Sequence, residues 1–139
     1  MKLLTGSILS EDKVMRKLTP LHGDFLAYCV DDWTGLWLLV KRIKPLHSST
    51  DADKIQAHAL EIIRDLIEAG YIMAGDVDFG LGKFRQWNLS VDKIIGRIEQ
   101  EWIELGRDPT ICEIVWFVST TEGDYAFASG QFPETPSTE

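Results

Sequence analysis

The most regular pattern in the chain is helical. From Ile55 through Ala59, Ile62, Ile63, Leu66 and Ile67 the apolar residues recur at spacings of three and four, which places them on one face of a helix. Thr50 with Asp53 resembles a capping box at its start, and Gly70 supplies a stop. A second run, Val91, Ile94, Ile95, Ile98, Trp102 and Leu105, repeats the spacing between a capping Ser90 and a terminating Gly106. Its polar positions, Lys93, Arg97, Glu99, Gln100, Glu101 and Glu104, mostly face away from that stripe. A third helix is expected through Trp33, Leu36, Trp37, Val40 and Ile43, capped by Asp31 or Asp32 and stopped by Pro45, with a loop over 45–50.

Extended segments lie between and after these helices. Tyr71-Ile72-Met73 begins a short strand, the Gly- and Asp-rich stretch 75–82 reads as a turn, and Lys83-Phe84-Arg85-Gln86-Trp87 alternates as a second strand. The stretch 112–120, centred on Ile114-Val115-Trp116-Phe117-Val118, is apolar at both parities and so reads as a strand buried on both faces. Turn chemistry at 121–124 predicts that Tyr125-Ala126-Phe127-Ala128 returns as its hairpin partner. The first thirty residues are less regular. Glu11 to Leu18 can form a short helix ending before Pro20, and His22 to Val30 has no clear period.

Taken together, the order predicts an α+β fold, with helices packed on a small antiparallel sheet. A chain of 139 residues with 45% hydrophobic content and five Trp suits one core, so a single domain is expected over 1–130 with a polar, disordered tail over 131–139. Trp33, Trp37, Trp102 and Trp116 fall on apolar faces and are expected in that core, with Trp87 as the exception.

No apolar run reaches the length of a membrane span, and Glu11 and Asp12 interrupt any leader-like start. Two distant cysteines, Cys29 and Cys112, read as free thiols, so a cytoplasmic location is expected. The formal charge of -8 is unevenly placed: residues 1–50 carry seven Lys or Arg against five Asp or Glu, and residues 51–139 seven against seventeen. Such a surface repels phosphate backbones and attracts a cationic protein, so nucleic acid and membrane are not the expected partners.

Catalytic and metal motifs are lacking in the sequence. His22, His47 and His58 have no ligand spacing, so neither metal nor cofactor is expected. Asp78-Phe79-Gly80 spells a kinase tripeptide without the surrounding chain a kinase needs, and Gly80 and Gly82 read as turn glycines. Lys83 to Trp87 interleaves cations with aromatics, as single-strand binders do, inside an acidic half. The stronger reading is an acidic docking strip of Glu99, Glu101, Glu104 and Asp108, with Asp76 and Asp78 as a second group.

The passage Leu66-Ile67-Glu68-Ala69-Gly70-Tyr71-Ile72 resembles the helix-to-wing step of winged-helix domains. Three segments, Asp32-Trp33-Thr34-Gly35-Leu36-Trp37, then 66–76, then Ile98 to Pro109 running into Glu113-Ile114-Val115-Trp116-Phe117, resemble bacterial toxin-immunity proteins of the contact-dependent growth inhibition type. That resemblance implies a non-enzymatic protein that binds a cognate toxin domain, often a basic nuclease, and neutralises it by occlusion. The alternative it leaves is a winged-helix regulator or nucleic-acid adaptor using Lys83 and Arg85.

Overall fold

The computed structural model describes residues 18–48 and 51–130, in which five helices pack on a four-stranded antiparallel sheet, the α+β class that the sequence predicts. The expected helix at 11–18, apart from Leu18, and the expected tail at 131–139 lie outside the described residues.

Helix α1 (Pro20–Asp31) occupies the stretch without a readable period. Its start is fixed locally: Thr19 Oγ1 accepts from the His22 N–H, while His22 Nδ1 accepts from the Thr19 N–H. This is a capping box with His in the place of Glu or Gln, and Pro20 sits at the first helical position, where a missing N–H costs nothing. Phe25, Leu26 and Cys29 are its fully buried residues.

The helix expected from Asp31 or Asp32 begins later than predicted. Asp32 ends α1, its N–H donating to the Tyr28 carbonyl. Thr34–Gly35 then form a two-residue strand, β1, before helix α2 (Leu36–Ile43) and a 3-10 turn through Pro45. Pairing of Thr34 with Phe117 and Gly35 with Trp116 takes these residues away from the helix. Helix α3 (Ala52–Glu68) buries the predicted stripe from Ile55 to Leu66 and leaves Ile67 half-buried. Its N-cap is Asp51, which makes no side-chain capping bond, and Thr50 of the expected capping box is outside the described residues. Gly70, at φ 79, closes a Schellman motif in which the Tyr71 N–H reaches the Leu66 carbonyl and the Gly70 N–H reaches that of Ile67.

Strand β2 (Ile72–Asp78) runs further than expected and pairs with β3 (Lys83–Gln86). Gly75 therefore lies inside the strand, opposite Gln86, and not in the turn. Helix α4 (Val91–Leu105) follows its prediction: Ser90 Oγ accepts from the Lys93 N–H, and Gly106 is left-handed at φ 72. The 112–120 strand shrinks to β4 (Trp116–Ser119). The predicted return strand is instead helix α5 (Thr121–Ala128), capped by Thr120 accepting from the Gly123 N–H. Glu122 and Asp124 in its first turn complement the helix dipole.

Strand β4 lies between β1 and β2, giving the order β1-β4-β2-β3. The helix-to-hairpin passage α3-β2-β3 expected of a winged helix is present, but the strand joining that hairpin to β1 comes from beyond α4. One sheet face, with Thr34, Phe117, Ala74 and Ile72, turns inward, where Phe117 meets Phe25 edge-to-face at 5.6 Å between ring centres. The Trp116 and Val118 side of β4 is only half-buried, so this strand is covered on one face and not two. Of the four Trp expected in the core, Trp102 is buried, while Trp33, Trp37 and Trp116 are half-buried.

Gly75 has no room for a side chain. A Cβ there would stand 2.2 Å from the Arg85 carbonyl oxygen and 2.9 Å from the Phe84 ring. Gly75→Ala is expected to destabilise the fold by about 1–3 kcal/mol despite the lower chain entropy of Ala. Urea unfolding checks this; an unchanged midpoint would mean the β2–β3 pairing is looser than described.

Candidate functional site

The six predicted carboxylates do not form one strip. Glu99 and Glu101 are two residues apart on α4, hence about 200° apart around the helix, and lie on nearly opposite sides. Glu101 pairs with Arg97 at 2.9 Å, and Arg97 also stands 4.0 Å from Asp76. Asp78 pairs with Arg85 at 3.3 Å and accepts from the Leu81 N–H, steadying the hairpin turn. Glu104 accepts from Gln100, and Asp108 pairs with Lys44 at 2.8 Å. Asp76, Asp78, Glu101 and Glu104 therefore share the hairpin side of α4, whereas Asp108 belongs to a groove elsewhere, and five of the six have partners within the chain.

A second acidic surface forms where α3 meets α4. Asp53, Glu61 and Glu68 are exposed along α3, and Asp92 and Glu99, seven residues apart and so on one side of α4, are exposed beside it. Arg64 joins the two helices, donating to Asp92 at 2.8 Å and Glu68 at 3.4 Å, which raises its pKa. Against these five carboxylates the two helices set Arg64 and the exposed Lys54 and Lys93, so an excess of negative charge remains. Of these five only Glu99 is in the predicted strip, because the pairing of two helix faces is not encoded in either helix alone.

The outer face of the sheet is aromatic. In the cross-sheet row Gly35, Trp116, Gly75 and Gln86, the indole of Trp116 has glycine on both sides. Neither glycine is bare: the Cβ position of Gly35 lies 2.8 Å from Trp37 Cδ1, and that of Gly75 lies under Phe84. Phe79, at the hairpin tip and 61% exposed, meets Trp116 edge-to-face at 5.5 Å. Met73, Val77 and Val118 extend this half-buried face.

Next to it, α2 and the 107–115 loop enclose an open groove of about 480 Å³ lined by Trp37, Val40, Lys41, Lys44, Pro109 and Ile111. The loop is held by one carboxylate. Glu113 accepts from both Arg107 terminal nitrogens, at 2.8 and 2.7 Å, and from the N–H and hydroxyl of Thr110. The Arg107 guanidinium, followed by the Thr110 N–H, holds its pKa down at about 2. Cys112 and Ile114 are both left-handed, at φ 73 and 72, which for a β-branched residue costs about 1–3 kcal/mol. These two residues break the strand expected from Cys112, and they leave Ile111 60% exposed.

The histidines meet in two pairs. His22 Nδ1 accepts from the Thr19 N–H, so its proton is on Nε2 and is donated to Asp65 at 2.9 Å, with both side chains 3% exposed. Thr19 Oγ1 is 2.8 Å from Nδ1, which gives the outline of a nucleophile–base–acid relay. The Nδ1 lone pair, however, is already engaged by backbone, and the arrangement ties α1 to α3. His47 Nε2 and His58 Nδ1 are 2.9 Å apart with ring centres at 5.1 Å, so the rings and their nitrogens lie nearly in line. That is an N–H···N hydrogen bond; rings converging on a shared ion would bring their centres closer for the same nitrogen separation. Among the described residues no three His, Cys, Asp or Glu side chains group as metal ligands, and no helix is long and apolar enough to cross a membrane. Cys29 is buried, which pushes its thiol up to about 12, and Cys112 is exposed; neither is in a disulfide.

Comparison with known protein families, curated proteins and solved structures finds no match to this chain.

Burial first, and then the neighbouring His47, lower the pKa of His58 below 6.5; Glu61 opposes this and His22 adds to it. The unfolded chain therefore binds the proton more readily, and this contribution to stability is complete above pH 6.5 and lost as pH falls from there to the lower folded value. His58→Gln is expected to flatten that part of a stability-against-pH curve measured by urea unfolding. An unchanged slope between wild type and variant would remove His58 as its source.

Proposed function

We propose that this chain is an immunity-type protein, one that binds the toxic domain of a cognate cationic effector, of the basic nuclease kind, and neutralises it by occlusion in the cytoplasm. The observation that carries the proposal is the aromatic outer sheet face, which is half-buried to exposed among the described residues. A domain of this size gains most by burying apolar surface, yet it leaves Trp116, Trp37 and Phe84 half-buried and Phe79 61% exposed on one contiguous side. Aromatic side chains of this kind are the anchors on which protein interfaces draw most of their affinity. Two carboxylate-rich areas, one on the hairpin side of α4 and one across α3 and α4, supply long-range attraction for a positively charged partner. In this reading the side chains act by excluding the toxin's substrate, and no residue acts in catalysis.

The nucleic-acid reading has less support. Helix α3, which precedes the hairpin as a recognition helix precedes a wing, exposes Asp53, Glu61 and Glu68 against Lys54 and Arg64. On the hairpin itself Arg85 is engaged by Asp78, leaving Lys83 as the exposed cation beside it.

Co-purification of the chain from its native host is expected to recover one basic protein whose activity the chain suppresses. Phe79→Ala, which removes an exposed side chain, should weaken that complex about 10- to 100-fold with unchanged circular dichroism. Reversing Asp76, Glu101 and Glu104 to Lys should slow association and reduce its salt dependence. Retention of nucleic acid in a mobility-shift assay, with affinity falling steeply as salt rises, would favour the adaptor reading instead.

A further inference from the structure

The groove between α2 and the 107–115 loop differs in chemistry from the acidic surfaces of α3 and α4. Its floor and walls are apolar, from Trp37, Val40, Pro109 and Ile111, and its charged residues are Lys41, Lys44 and Asp108, a net of one positive charge. Lys44 is neutralised by Asp108 at 2.8 Å, and Arg42 on the next face of α2 is engaged by Asp24. Lys41 has no carboxylate partner among the described residues; its ammonium stands 6.0 Å from the centre of the Trp37 ring. Beyond Lys41 the surface dips again into a second groove of about 480 Å³, lined by Tyr28, Leu38, Arg42 and Pro45, so Lys41 stands on the ridge between two open troughs. An enclosed pocket would suit a small molecule, whereas a trough that continues across a ridge suits an extended chain.

We propose that this groove is a docking site for an acidic, apolar polypeptide segment of a partner protein, with an apolar side chain seated between Trp37 and Ile111 and a carboxylate on Lys41. Lys41 is the free countercharge, and its ammonium lies beside the apolar floor, which fits a segment carrying both features a residue or two apart. The hydrogen-bonded loop sets the site. The Glu113 hydrogen bonds fix Thr110, and the left-handed Cys112 and Ile114 turn the chain so that Ile111 projects 60% exposed beside Trp37 instead of entering the sheet. This inference goes beyond the immunity reading and does not rest on it, because the segment it requires is negatively charged.

The test is a titration of the isotopically labelled full chain at physiological salt with two blocked peptides, acetyl-Asp-Leu-Phe-Asp-amide and acetyl-Lys-Leu-Phe-Lys-amide. With a chain of net charge -8, general electrostatics favour the basic peptide, so a preference for the acidic one has to be local. The acidic peptide is expected to shift the Thr110 and Ile111 amides and the Trp37 indole, and to bind about tenfold more tightly there than the basic one. Lys41→Glu should invert the preference, Lys41→Gln should abolish it, and Ile111→Ala should weaken both peptides with the spectrum otherwise intact. Equal binding of the two peptides, or shifts confined to other surfaces, would overturn the proposal. So would decanoate displacing the acidic peptide at lower concentration than the peptide itself requires, since that would make the site one for a small amphiphile.

Discussion

Insertion of β4 between β1 and β2 is the interaction on which the rest of this structure depends. It alone joins the two-residue β1 to the hairpin, and it carries the fully buried Phe117 onto Phe25 of α1. Because side chains alternate along a strand, seating Phe117 inward turns Trp116 outward. The aromatic outer face and the core are therefore two results of one register. A shift of β4 by a single residue would bury Trp116 against the helices and place Phe117 in solvent. The glycines across from Trp116 on either side, Gly35 and Gly75, complete the arrangement, since Trp37 leaves no room for a Cβ at the first, and the Arg85 carbonyl and the Phe84 ring leave none at the second.

What was legible in the sequence was whatever is decided within about one turn of helix. The α3 and α4 stripes, the Ser90 cap and the left-handed Gly70 and Gly106 all follow from neighbouring residues and agree with the structure. The misreadings have a common cause in contacts from distant parts of the chain. Thr34 and Gly35 leave the predicted helix because Phe117 and Trp116 offer them strand partners. Residues 121–128 form a helix because Thr120 caps it and Gly123 packs directly on the Tyr71 backbone, where a Cβ would come within 2.1 Å of the carbonyl oxygen. A strand-like alternation of aromatics did not outweigh that cap. Helix α1 was hidden for a different reason, its capping box using His22 where the usual pattern has Glu or Gln.

Charge was less legible than fold. The sequence predicts the excess of carboxylates in the later part of the chain, but not which of them compensate one another. Arg97 draws in Asp76 and Glu101, Arg85 takes Asp78 and Lys44 takes Asp108, so much of the expected strip is neutralised internally. Exposed pairs of this kind add little stability, but they reshape the field a partner would meet. Asp53, Glu61 and Glu99, which have no ion pair among the described residues, lie instead where α3 and α4 run side by side, and Lys41, likewise unpaired among the described residues, stands beside an apolar trough.

The position of β4 also determines when the protein can exist as a folded body. Helices and the β2–β3 hairpin close over short stretches and can form early, whereas β1 must wait for a strand encoded near the other end of the chain. During synthesis, the edges of β1 and β2 stay open until the residues through Ser119 have left the ribosome, together with the gap between Gly35 and Gly75 that Trp116 will fill. The short length of β1 and the glycine at its end make that waiting edge a poor template for stray pairing, so the same economy that makes this strand hard to see in the sequence protects the nascent chain from its neighbours.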